Sequence, residues 1–147
     1  MKKAKMKLTA KEVKERILRG ERNFRGATIQ GSLNLVETTV QGGLDFYGAT
    51  IRGTVYLQGT TIEGNLDFRS TTISGNVHLT EATIQGVVDF GGATIQGYLM
   101  LHRTKIGGYL ELSTKKGPTK IYVNEEMAQL AHWSAPTVPL VVLREKQ

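Results

Sequence analysis

Apolar and polar positions recur with a strict period of eleven across residues 23–114, where one unit runs eight times without a gap. One copy reads Leu44-Asp45-Phe46-Tyr47-Gly48-Ala49-Thr50-Ile51-Arg52-Gly53-Thr54. Its apolar residues form two alternating pairs, Leu44 and Phe46 around Asp45, and Ala49 and Ile51 around Thr50. Alternation of period two predicts very short strands whose flanking members point inward and whose middle member points outward. Glycine at 31, 42, 53, 64, 75, 86, 97 and 108 follows an aliphatic residue by two places. It marks corners that need positive φ or close backbone approach. Recurrent Gly, Thr, Val and Ile are weak helix formers and argue against a helical repeat. So strict a period means stacked copies of one unit, each burying its apolar side on the next.

A second period lies over the first. The third position of the unit is Phe24, Phe46, Phe68 and Phe90, alternating with Leu35, Leu57, Leu79 and Leu101. Identical residues therefore recur every 22 positions, which predicts a coil of 22 residues with four short sides. Phe rings form one internal stack and Leu side chains a facing one, and Ile51, Ile62, Ile73 and Ile84 complete the predicted core. Eight units predict about four coils of an all-β parallel solenoid, and Leu112, standing where a fifth Phe is due, fits a terminal coil.

The flanks break the pattern. Residues 1–22 read as a basic tail and a capping helix. Thr9-Ala10-Lys11-Glu12 is a capping box, Gly20 is a stop signal, and Val13, Ile17 and Leu18 form a narrow apolar stripe. This helix is expected to lie across the open end of the first coil. Residues 115–147 read as a C-terminal cap or oligomerisation segment. Ile121-Tyr122-Val123 alternates as a strand, Asn124 caps a short helix running from Glu125 to about Trp133, and Val138–Leu143 is a strand in which Pro139 marks an edge.

These residues carry a resemblance. Each eleven-residue unit is two five-residue pieces plus one, and Leu44-Asp45-Phe46, Leu66-Asp67-Phe68 and Ala49-Thr50-Ile51 resemble the pentapeptide-repeat family. The resemblance implies a right-handed quadrilateral β-helix. The filament-forming bactofilin β-helices are a looser alternative.

Charge is unevenly spread. The net charge is +6, but residues 1–22 carry +6 alone, the repeats carry −2 and residues 115–147 carry +2. A solvated terminus is the favoured reading of the Lys-rich start, with contact to nucleic acid or an anionic membrane left open. There is no cysteine, so neither a disulfide framework nor a thiolate metal site is available. Neither a transmembrane segment nor a secretory apolar run is present, and a cytoplasmic location is the default expectation.

Candidate chemistry is thin. Asp45, Asp67, Asp89 and Glu111 form an outward acidic row, read as carboxylates bonded to their own corner backbone and otherwise solvated. The mixed row Asn34, Tyr56, His78 and Met100 lies on another side. His78 and His102 are out of vertical register, and His132 is placed in the tail helix. Outward Thr recurs at 28, 39, 50, 61, 72, 83 and 94, as suits an exposed strand. No nucleophilic triad or phosphate loop is recognisable, so no catalytic, metal or cofactor residue is assigned. The resulting expectation is a non-enzymatic structural or protein-interaction scaffold that self-associates as a homodimer through its C-terminal segment. The candidate contacts are Trp133, Val138, Leu140, Val141, Val142 and Leu143. The alternative is a nucleic-acid or target-protein binder, either a DNA mimic of the pentapeptide type or a basic-tail binder.

Overall fold

Two-residue strands such as Leu44–Asp45 are too short to be stable alone, so each depends on its vertical neighbours. The computed structural model describes residues 6–132 and 138–144. Its strands wind into an all-parallel β-solenoid of about six turns with four faces. The first face stacks Lys7–Thr9, Thr28–Gln30, Thr50–Arg52, Thr72–Ile73 and Thr94–Ile95; the second stacks Leu33–Asn34, Val55–Tyr56, Val77–His78, Leu99–Met100, Ile121–Val123 and Leu140–Val142. The third stacks Thr39–Val40, Thr61–Ile62, Thr83–Ile84 and Lys105–Ile106; the fourth stacks Leu44–Asp45, Leu66–Asp67, Val88–Asp89, Leu110–Glu111 and Ala131–His132. Within the repeats the register is 22 residues, as in Leu44↔Leu66 and Thr50↔Thr72.

That register aligns like side chains in columns. Phe24, Phe46, Phe68 and Phe90 are fully enclosed, with successive ring centroids 5.6, 5.4 and 5.2 Å apart and planes within 19°. Leu35, Leu57, Leu79 and Leu101 are equally buried, as are Ile51, Ile62, Ile73 and Ile84, and Leu112 closes the Phe column. At the corner where half of the units place Ala, Thr60, Thr71 and Thr104 are buried too. Their hydroxyls donate to the carbonyls of Leu35, Phe46 and Leu79 in the coil below, at 2.6–2.7 Å, which offsets the penalty of burying them.

Two kinds of corner separate the faces. At the glycine corners the backbones of successive coils nearly touch: a Cβ on Gly53 would lie 2.6 Å from Gly31 C, and one on Gly97 2.6 Å from Gly75 O. The other corner, two residues after each Phe or Leu, turns through left-handed φ in every coil. Glycine takes it at 26, 48, 59 and 92, but Glu37, Ser70, Glu81 and Arg103 adopt it as well, at φ 54–59°. Only glycine holds that conformation without a steric cost.

Both ends extend the solenoid beyond the repeat, which is why about six turns stand where the periodicity predicts four. A rung needs only inward apolar residues, not a full repeat. Lys7–Thr9 pairs with Thr28–Gln30 and places Leu8 over Ile29. Helix α1, Ala10–Leu18, then crosses the core with its capping box formed: Thr9 Oγ1 accepts the Glu12 N–H at 3.1 Å, and Glu12 Oε1 accepts the Thr9 N–H at 3.2 Å. Ala10, Val13 and Ile17 are buried, whereas Leu18, expected on the apolar stripe, is 63% exposed because the helix ends there. Arg22 ties that end down, donating to Ile17 O at 3.0 Å and, through Nε, to Gln41 O at 2.9 Å.

At the other end the chain keeps winding. Ile121–Val123 adds a rung to the second face. Helix α2, Glu125–Leu130, takes the place of a strand on the third face and inserts Met127 into the core. It stops earlier than the sequence predicts: Ala131–His132 is already a strand paired with Leu110–Glu111, so His132 is not helical. Leu140–Val142 then lies on Ile121–Val123.

Removing a ring from the column, as in Phe68→Ala, is expected to destabilise by about 3–5 kcal/mol, read from urea unfolding. At the left-handed corner, Glu81→Gly is expected to be more stable than Glu81→Ala by about 1 kcal/mol; equal stabilities would show that the corner is not held at positive φ in solution.

Candidate interaction faces

The fourth face carries the charged row. Asp45, Asp67, Asp89 and Glu111 are stacked one above another by the strand register. Each turns a carboxylate oxygen to the backbone N–H two residues on, in Tyr47, Arg69, Gly91 and Ser113, at 2.8–3.1 Å. Asn23 does the same for Arg25. This local bond satisfies the N–H that starts the corner.

Beside the carboxylates runs a second column that the sequence reading did not single out: Arg25, Tyr47, Arg69, Gly91 and Ser113, spaced 22 residues apart. Arg25 Nε donates to Asp45 Oδ2 at 2.5 Å, and the Arg69 fork grips Asp67, with Nη2 to Oδ2 at 2.7 Å. Tyr47 is sandwiched between the two guanidinium groups, whose carbons lie 5.4 and 5.1 Å from its ring centre, a cation–π arrangement on each face. Burial alone would push the Asp67 carboxyl up, but the Arg69 hydrogen bonds and charge outweigh it and hold it below its ordinary value. The hydrogen bond and charge of their aspartates raise both arginines. The signal for this column was the same 22-residue period, applied to a position whose residue type varies.

Asp89 differs. Gly91 holds the place of Arg69, and no cation lies within ion-pair distance of Asp89 among the described residues. A hollow of about 220 Å³ extends over it, lined by Asp67, Arg69, Val87 and Tyr109 among others, and Tyr109 is 58% exposed.

The second face is aromatic and largely uncharged. Tyr56 and His78 stack at 5.3 Å with planes 6° apart, and Tyr98 stands edge-on to both His78 and Tyr122. Tyr98 Oη and His78 Nε2 are 3.3 Å apart, and burial pushes the His78 pKa below its ordinary value. Met100 continues the outward row above His78. Among the described residues no group of three or more His, Asp or Glu is placed to hold a metal ion.

Apolar side chains are partly exposed at the C-terminal end. Leu140 and Val142 are 43% and 39% exposed, Val141 and Leu143 are half-buried, and Val138 packs partly against the core. Trp133 lies outside the described residues, as do Lys2, Lys3 and Lys5 of the basic tail. No helix among the described residues is long and apolar enough to cross a membrane.

Comparison with known proteins agrees with this architecture. Residues 24–72 match the family model described as pentapeptide repeats (9 copies). No curated protein and no solved structure matches the chain.

Because Asp67 is held below its unfolded value, its contribution is present at neutral pH and is lost as pH falls through the folded value. Asp67→Asn keeps the bond to the Arg69 N–H but not the ion pair, which is partly exposed. It should lower stability at pH 7 by less than about 1 kcal/mol. Urea titrations at descending pH should show the gap to the parent protein closing in acid.

Proposed function

We propose that this pentapeptide-repeat β-helix is a non-enzymatic scaffold that joins copies of itself through its C-terminal end. The chain is a repeat scaffold by construction, since its interior is filled by side-chain columns and, among the described residues, its faces carry no constellation of reacting groups. The observation behind self-association is the fate of two of those columns. On the second face Leu33, Val55, Val77, Leu99 and Ile121 are buried in succession, and Leu140 follows them in register but is 43% exposed. Val142 follows buried Val123 and is 39% exposed. Among the described residues nothing is stacked on these core positions.

An apolar core open at one end favours association. A two-fold contact covers two such ends at once and closes on itself, whereas a head-to-tail contact would grow into a fibre. The opposite end is unsuited to pairing, because α1 lies across it. Residues 119–143 therefore supply the contact, with Leu140 and Val142 at its centre. Polyanion mimicry receives less support: Arg25 and Arg69 neutralise two members of the acidic row, leaving no strongly acidic face.

Sedimentation of the full chain at several concentrations tests the proposal. A concentration-dependent dimer is expected, and Leu140→Lys with Val142→Lys should give a folded monomer. A parent protein that stays monomeric at high micromolar concentration would overturn the dimer and make this segment a local cap.

A further inference from the structure

The fourth face contains a template for its own ligand. Two of its aspartates are matched by arginines from the neighbouring column, Asp45 by Arg25 and Asp67 by Arg69. Arg69 is committed to Asp67 through both Nε and Nη2, so it is not available to Asp89. Asp89 spends Oδ1 on the Gly91 N–H at 2.8 Å, and no hydrogen bond or ion pair engages Oδ2 among the described residues.

The missing cation corresponds to a missing side chain. Gly91 does not adopt the left-handed conformation that its neighbour Gly92 requires, so nothing in its backbone demands glycine. The atoms nearest to a Cβ placed there are Asp89 Oδ1 at 3.0 Å, Ser113 Oγ at 3.7 Å and Arg69 Cγ at 3.8 Å. The result is a notch between Arg69 and Ser113; Arg69 and Asp89, which border it, also line the hollow of about 220 Å³ whose wall includes Tyr109.

We propose that this notch docks an arginine side chain of a partner protein, which completes the column by pairing with Asp89. The aliphatic stem lies over Gly91, and the guanidinium reaches Asp89 Oδ2 with the Tyr109 ring as its apolar wall. A planar fork suits a carboxylate beside an aromatic ring better than a compact ammonium does. The same chemistry, supplied within the chain, already operates one coil lower at Arg69 and Asp67. Exposed tyrosine and arginine next to a concavity are also the residue types that dominate binding energy at protein interfaces. This surface adjoins the Ala131–His132 rung but uses neither Leu140 nor Val142, and it does not depend on self-association.

Heteronuclear NMR of the full chain tests it with a capped glycine–serine peptide carrying one arginine, set against the same peptide with citrulline in that place. The arginine peptide is expected to shift the Gly91, Gly92 and Tyr109 signals to saturation. The citrulline peptide should bind more weakly, by up to about fivefold, since a partly exposed ion pair is lost. Asp89→Asn retains an oxygen for the Gly91 N–H and should abolish saturable binding. Gly91→Arg should fold, as position 69 already shows the geometry, and should block the peptide by filling the notch from within. No saturable shift in the parent protein, equal binding of the citrulline peptide, or undiminished binding by the folded Asp89→Asn or Gly91→Arg variant would each overturn the proposal.

Discussion

Everything in this molecule depends on inward side chains meeting their equivalents one coil away. Strand spacing is about 4.8 Å, and the Phe centroids sit 5.2–5.6 Å apart, so Phe46 and Phe68 are each covered above and below by another ring. A two-residue strand cannot hold itself, but its backbone bonds and its side chain are both satisfied along the same axis. The core is therefore a set of columns and not a shared interior. The Phe and Leu columns repeat one residue while others mix Leu, Val and Ile, and the buried corner hydroxyls are accepted by the carbonyls of Leu35, Phe46 and Leu79 below them.

Columns have ends, and the two ends differ. At the start, the rung bearing Leu8 and the apolar face of α1 cover the first coil, and Arg22 clamps the helix to the next. At the other end the chain departs from the repeat by degrees. A helix replaces one strand, Met127 replaces an inward aliphatic residue, and the second face runs one rung further than its neighbour, leaving Leu140 and Val142 uncovered. The two ends of the solenoid are therefore unlike.

Stacking also governs the outside. Like charges aligned one coil apart repel, so an acidic row survives only with compensation. The first members of the row find it in backbone N–H groups and in Arg25 and Arg69, with Tyr47 stacked between the two guanidinium groups. The second face avoids the problem by carrying aromatic and amide side chains. These differences between faces, laid over a uniform interior, leave the solenoid free to present unlike surfaces without altering its core.

The eleven-residue period and the Phe–Leu alternation by themselves determined the solenoid, its 22-residue coil, the columns of buried residues and the helix started by Thr9 and Glu12. These follow from local chemistry repeated often enough to be unmistakable. The tertiary structure decided what had no repeat to announce it. Lys7–Thr9, Ala131–His132 and Leu140–Val142 become rungs because a stacked edge accepts any strand with suitable inward residues, so about six turns stand where the eight repeats supply four. Glu37, Ser70 and Glu81 each share their corner with a glycine one coil away, Gly59 or Gly48 and Gly92, and Arg103 follows Glu81 into the same left-handed turn. The pairing of Arg25 with Asp45 joins residues of different coils, and Asp89 is distinguished from Asp67 only by the side chain absent at Gly91. Such relations lie between coils, where sequence order gives no distance and only the stacked structure supplies one.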